Sequence, residues 1–352
     1  MNFSVGHCGF RDFPELLKND LRNYTNEYFA LHQTTDDHDL FFGFFTPAWW
    51  NLVQRHHFFE SIKIWNLALD LAIDWQNNNK PRKIHKGTPY YFLGVTAILN
   101  NELENGFLAM HQAMKEDERR SERRRPEAPA YWFITLDSSH RDQFFVQKVE
   151  EVATYLEERL YEYSTTRGRL LRLHEFRRRF LRLRYLSDEV FFFVYSLFRI
   201  RKMIYETGKI YKQNAFSSLL QARILFDLSL VVDKVIENKN AGRSNRPTIR
   251  EEILFLSQNP RNLLSFNEDT LSELNDRIEN NFGTTTRGLL LGTYRPRRHP
   301  ILNDIERDFA LAYGIRNRGA HKLENQPIIY RKMRELTQSL LNALFFTVEN
   351  LY

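Results

Sequence analysis

Cysteine is almost absent. Cys8 is the only one in 352 residues, which excludes an internal disulfide and a thiolate metal cage. Long apolar runs are missing too. The most apolar stretch, VFFFVYSLF at 190–198, is nine residues long and flanked by charge, whereas a bilayer span needs ~20; it reads as buried helix, and no membrane segment is expected. Glycine (14) and proline (11) are sparse, and the glycines form no phosphate-binding signature. GTTTRG at 283–288 lacks the Lys-Ser/Thr of a P-loop, and neither a Rossmann fingerprint nor a nucleophile elbow occurs. The N-terminal stretch has no basic start followed by an apolar run. With the lone cysteine, this gives the expectation of a cytoplasmic protein without a signal peptide.

The residues that are abundant are apolar and aromatic. Hydrophobic residues make up 42% and aromatics 14%, enough for a packed core rather than a disordered chain. Fifty Lys+Arg against 44 Asp+Glu leave only +6, so where the positive charge collects matters more than its total. Helical spacing dominates, and the expected fold class is all-α. Residues 46–78 carry apolar positions three and four apart, with Pro47 suited to a helix start. After a break at 77–89, ESIKIWNLAL (60–69) finds a counterpart in NGFLAMHQAM (105–114), with Ala68 over Ala113 and Ile62 over Phe107. Such pairs resemble tetratricopeptide-type helix pairs, although the offset is 45 residues and only two copies occur, which an ordinary helical bundle accommodates equally well. AYWFITLD, 130–137, is the one expected strand, or equally a buried extended segment. The chain divides on this reading into a helical region at 1–125, a middle segment with a basic tract at 126–212, and a helical bundle at 213–352.

The basic tract starts with RLLRLHEFRRRFLRLRYL and continues through the apolar run to Lys212. From Arg167 to Lys212 thirteen Lys+Arg stand against four Asp+Glu. Interleaved with Tyr185, Tyr195 and phenylalanines, Arg177, Arg178, Arg179 and Arg182 suit an RNA-binding surface. They equally suit a solvated helix face, because consecutive arginines point in different directions. The lone histidine groups, His7-Cys8, His56-His57 and His140-Arg141-Asp142, have no second ligand pair or partner motif. No metal and no cofactor are expected.

The sharpest feature is IRNRGAHKLEN at 315–325. A helix starting near Ile315 would stack Asn317 and His321 on one face as i and i+4. Asn317 can then orient the imidazole, and His321 can exchange a proton near neutral pH. Arg316 offers a permanently charged fork to a pentacovalent phosphate. Arg318 and Lys322 beside it are further candidate RNA contacts. These groups suffice for RNA cleavage by the substrate's own 2′-hydroxyl, without a metal. RLLRLH at 169–174 matches the looser Arg-x4-His spacing but lacks the asparagine.

An all-α bundle with R-N-x-x-x-H ahead of its last long helix resembles a HEPN domain (higher eukaryotes and prokaryotes nucleotide-binding), covering about residues 213–352. It is similar to the ends of CRISPR-associated and other prokaryotic defence ribonucleases. The resemblance implies a metal-independent endoribonuclease of antiviral defence or a toxin system, with Arg316 and His321 catalytic and Asn317 supporting. It implies RNA as substrate and a homodimer through the C-terminal domain. The N-terminal region would then bind a protein partner or small-molecule activator. The alternative is a HEPN-fold RNA- or protein-binding module without catalysis. The terminal helix presents Leu340, Leu344, Phe345, Val348 and Leu351 as an apolar stripe, suited either to that dimer or to the bundle's own core.

Overall fold

The computed structural model describes residues 15–32, 39–121, 128–139, 143–167, 170–203, 215–240, 248–261, 263–297, 301–321 and 326–352. Among them the fold is all-α, with sixteen α-helices and no strand. The chain forms two compact units, 1–150 and 151–352. The breaks expected from sequence, at 125/126 and 212/213, both fall outside the described residues.

The first unit holds α1 (Glu15–Leu31), α2 (Asp39–Gly43), α3 (Thr46–Gln54), α4 (Phe58–Asn78), α5 (Gly87–Leu99), α6 (Leu103–Ser121), α7 (Pro129–Ile134) and the start of α8 (Gln143–Arg167). Helices α5 and α6 form a hairpin across three residues, with Asn101 at φ 64° making the turn. They approach as closely as backbone permits. A Cβ on Gly94 would stand 3.0 Å from the Gly106 carbonyl oxygen, so the small residues that join these helices are glycines. Ala68 and Ala113, the sequence-matched pair, are simply buried, at 0% and 1% exposure. Trp65 stacks on Phe92 at 5.3 Å, and Trp49 donates through Nε1 to Thr96 Oγ1 at 2.9 Å, which gives its buried N–H a partner.

The expected strand is a helix. Pro129 sits in the first turn of α7, and Ala130, Phe133 and Ile134 are buried at helical spacing. The β-branched and aromatic composition of AYWFITLD yields here to burial at three- and four-residue spacing.

The second unit continues α8 and adds α9 (Leu173–Phe176), α10 (Ser187–Arg201), α11 (Ala215–Asn240), α12 (Ile249–Ser257), α13 (Glu268–Leu290), α14 (Asp304–His321), α15 (Pro327–Arg331) and α16 (Met333–Leu351). Helices α11, α14 and α16 pack on one another, with α10 against α11 and α13 against α14. A phenylalanine cluster fills the interior: Phe176 lies edge-on to Phe345 at 5.2 Å and near Phe193 at 5.9 Å. The stripe of α16 belongs to this core, since Leu340, Leu344, Phe345 and Val348 are all at 0% exposure. Its role is therefore intramolecular packing, and a dimer would have to use another face.

Two helices run further than their sequence suggests. Helix α13 runs on past the glycines Gly283 and Gly288 to Leu290, across a kink at Asn281, φ −143° and ψ 51°. The motif helix begins at Asp304, about three turns before the expected start near Ile315. Asn303 Oδ1 accepts the Glu306 N–H at 3.0 Å and Glu306 Oε2 accepts the Asn303 N–H at 2.9 Å, a reciprocal cap that fixes this start.

Candidate functional site

Helix α14 is nearly all core between Phe309 and Ile315, where every residue but Gly314 has a buried side chain. It emerges at Arg316, so R-N-x-x-x-H occupies its last two turns, with His321 closing the helix. Residues 317 and 321 remain one helical turn apart, as i and i+4. At ~100° per residue, position 321 lies about 40° round the axis from Asn317 and about 140° from Arg316.

Arg316 and Asn317 turn to different neighbours. Arg316 Nε donates to Asp233 Oδ2 on α11 at 2.8 Å, and its guanidinium lies over the Phe226 ring at 5.6 Å. The arginine side chain stays 27% exposed while Asp233 is 7% exposed. The bond uses Nε, and Nη1 and Nη2 make no hydrogen bond among the described residues. Asn317 Nδ2 donates to Asn275 Oδ1 on α13 at 3.2 Å, and its side chain also meets the hydroxyl of Tyr313, one turn back. The Asn275 bond ties Asn317 to α13.

Arg318, an expected RNA contact, has an internal task. The kink at Asn281 leaves carbonyls just before it without helical donors. Arg318 Nη1 donates to the Ile278 and Glu279 oxygens at 3.2 and 3.3 Å, and the guanidinium covers Phe282 at 5.0 Å. Lys322 lies outside the described residues.

The basic tract divides in the same way. Phe180 and Leu181 are fully buried, which turns the wide helical turn Arg177–Leu181 partly inward. Arg179 donates to the Glu349 carbonyl at 2.8 Å and pairs with Glu175 at 2.6 Å. Arg177 is half-buried, whereas Arg178 and Arg182 are exposed. The matching arginine of RLLRLH, Arg169, is outside the described residues, as are His7, Cys8 and His140.

Sequence reasoning missed three groups beside the motif. Asp233 interrupts the apolar run LSLVVDKVI, and a charge on a core-facing stripe is itself a signal that a partner must exist. Glu252 on α12 is fully buried; nothing in EEILFLS separates it from the exposed cap residue Glu251. Phe226 is half-buried beneath Arg316, with Arg223 also near its ring at 5.7 Å. Burial, then a hydrogen bond with Asp233, pushes Glu252 up to about 11, so it is a neutral acid at physiological pH.

A second polar feature lies at the other end of α14. A cavity of about 160 Å³ is bounded by Thr166, Leu290, Arg307, Asp308, Ser339 and Asn342, among others. Asp308 accepts from Asn342 Nδ2 at 2.9 Å, and burial raises it to about 7 against hydrogen bonds from Ser339 and Asn342. Among the described residues no group of three or more His, Cys, Asp or Glu is arranged to hold a metal, and no helix is long and apolar enough to cross a membrane. No protein-family model matches the chain, and neither a curated protein nor a solved structure matches it.

Proposed function

We propose that the chain is an endoribonuclease of HEPN type, with the chemistry in the second unit and partner or activator binding in the first. The observation that carries this reading is Arg316. Its Nε is held by Asp233 while its side chain stays 27% exposed, immediately before the asparagine that shares a helical face with position 321. A buried anchor and an available fork suit the recognition of phosphate oxygens.

In the proposed reaction His321 takes the proton of the substrate 2′-hydroxyl, and the 2′-oxygen attacks the adjacent phosphorus. Arg316 neutralises the added charge of the pentacovalent state. The 5′-oxygen leaves with a proton, and the 2′,3′-cyclic phosphate remains. One chain supplies one such histidine, while the reaction needs a base and an acid. A second copy supplies the other, and the angular separation of 316 from 321 suits a cleft shared by two helix ends. A role in prokaryotic antiviral defence or a toxin system extends the same resemblance.

Labelled RNA incubated with the full chain tests both parts. Arg316→Ala and His321→Ala should each be inactive, and mixing the two should restore part of the activity through a composite cleft. A fully active monomer by light scattering contradicts the shared cleft; full activity in both variants contradicts the enzyme.

A further inference from the structure

Asp233 is approached from two other helices. Arg316 Nε, from α14, donates to its Oδ2 at 2.8 Å. Glu252, from α12, is at 0% exposure, and as a carboxylate it would have no donor on either oxygen. Helix α12 is fixed in place by its Thr248–Glu251 capping box and packs on α11 and α14. An ionised carboxylate without a donor is among the most costly groups to bury. Protonated, the same carboxyl can donate to the Asp233 carboxylate beside it, and the raised pKa of Glu252 has this hydrogen bond as its second cause after burial. The other charges around it are Lys234 and Glu237 on α11, which act in opposite directions.

We propose that Glu252 is a positioning residue for Arg316: as a neutral acid it donates its carboxyl proton to Asp233 and thereby fixes Asp233 Oδ2 against Arg316 Nε. The inference rests on reading Arg316 as the phosphate-contacting group. The trio then carries one negative charge on Asp233 and one positive charge on Arg316. A second ionised carboxylate at Glu252 would draw the terminal nitrogens of Arg316 inward, away from a phosphate. A neutral donor holds the anchor without competing for the cation. A glutamine at 252 keeps a donor and preserves the arrangement, whereas a leucine of similar size removes it.

Exchange of the Arg316 Nε proton, followed by NMR on the ¹⁵N-labelled full chain, tests this directly. The resonance is identified by its loss in Arg316→Lys. Wild type and Glu252→Gln should show a slowly exchanging Nε proton, and Glu252→Leu should exchange at least about tenfold faster. RNA cleavage by Glu252→Leu should drop by about tenfold in kcat, and Glu252→Gln should recover it. Equal exchange in all three proteins, or Glu252→Gln behaving like Glu252→Leu, overturns the proposal. If Glu252→Leu does not fold, the ¹³C carboxyl shift of Glu252 in wild type, assigned with Glu252→Gln, decides: a protonated carboxyl at pH 7 supports it and an ionised one overturns it. A wild-type chain with a protected Nε proton but no RNA cleavage would defeat the enzyme reading and leave the positioning role standing.

Discussion

Gly319 and Phe226 stand so close that a Cβ on the glycine would overlap the ring's Cδ2, with the ring's Cγ at 2.8 Å. Gly319 lies between Arg316 and His321 in the motif, and Phe226 is the ring beneath Arg316. The glycine thus allows the end of α14 to rest on α11, and its neighbour supports the arginine.

Gly319→Ala should therefore cost more than its better helix propensity returns. Overpacking of ~1–3 kcal/mol against a propensity gain of ~1 leaves a net loss of about 1 kcal/mol, readable as a lower melting temperature. Because Phe226 is only half-buried, the ring can yield, and Arg316 moves with it. RNA cleavage should fall by about tenfold or more. Unchanged melting and unchanged cleavage would remove Gly319 from the site's architecture.

The basic tract should separate under charge reversal. Arg178→Glu and Arg182→Glu alter exposed side chains, and Arg178→Glu should leave the melting curve unchanged. If these arginines meet phosphates, each reversal flattens the salt dependence of RNA binding by about 0.7 in log–log slope. Arg179→Glu breaks the bonds to Glu175 and the Glu349 carbonyl and should destabilise the fold by ~1–3 kcal/mol. An unchanged slope in the first two assigns them to a solvated face.

The buried acids set a pH dependence with a definite sign. Asp308 is raised from 3.8 to about 7, so between those values the folded state holds a proton that the unfolded state has lost. Stability present below pH 3.8 is lost as pH rises towards about 7. Glu252, raised from 4.5 to about 11, acts in the same direction across the same range. Unfolding free energies from urea titrations should fall from pH 5 to pH 7, by at most ~1.4 kcal/mol per pH unit for each proton. Asp308→Asn should make that fall shallower. A wild-type unfolding free energy that rises over this range contradicts the protonated state of both groups.

The all-α class was legible because helical spacing persists along most of the chain. Local composition is what misled. AYWFITLD has β-branched and aromatic residues, but Pro129 and the burial of Ala130, Phe133 and Ile134 make a helix. Gly283 and Gly288 look like breakers, yet α13 bends at Asn281 and runs on, with open space where a Cβ of Gly283 would stand. The start of α14 had a visible sign in Asn303 and Glu306, the reciprocal cap. The motif itself is readable as three residues on one helix. Its supports are not, because Asp233 and Asn275 lie 83 and 42 positions away from their partners, and only the packed bundle brings them together.

Cleavage of RNA through the substrate's own 2′-hydroxyl is the reaction on which the whole proposal turns. The most direct measurement is end analysis of products from a labelled RNA cut in EDTA, beside the same sequence carrying one 2′-deoxy nucleotide at the cleavage position. A 2′,3′-cyclic phosphate end is expected on the ribose substrate, with no cut at the deoxy position and no product with His321→Ala. Intact RNA with the wild-type chain, cleavage at the deoxy position, or full activity in His321→Ala would contradict the proposed reaction.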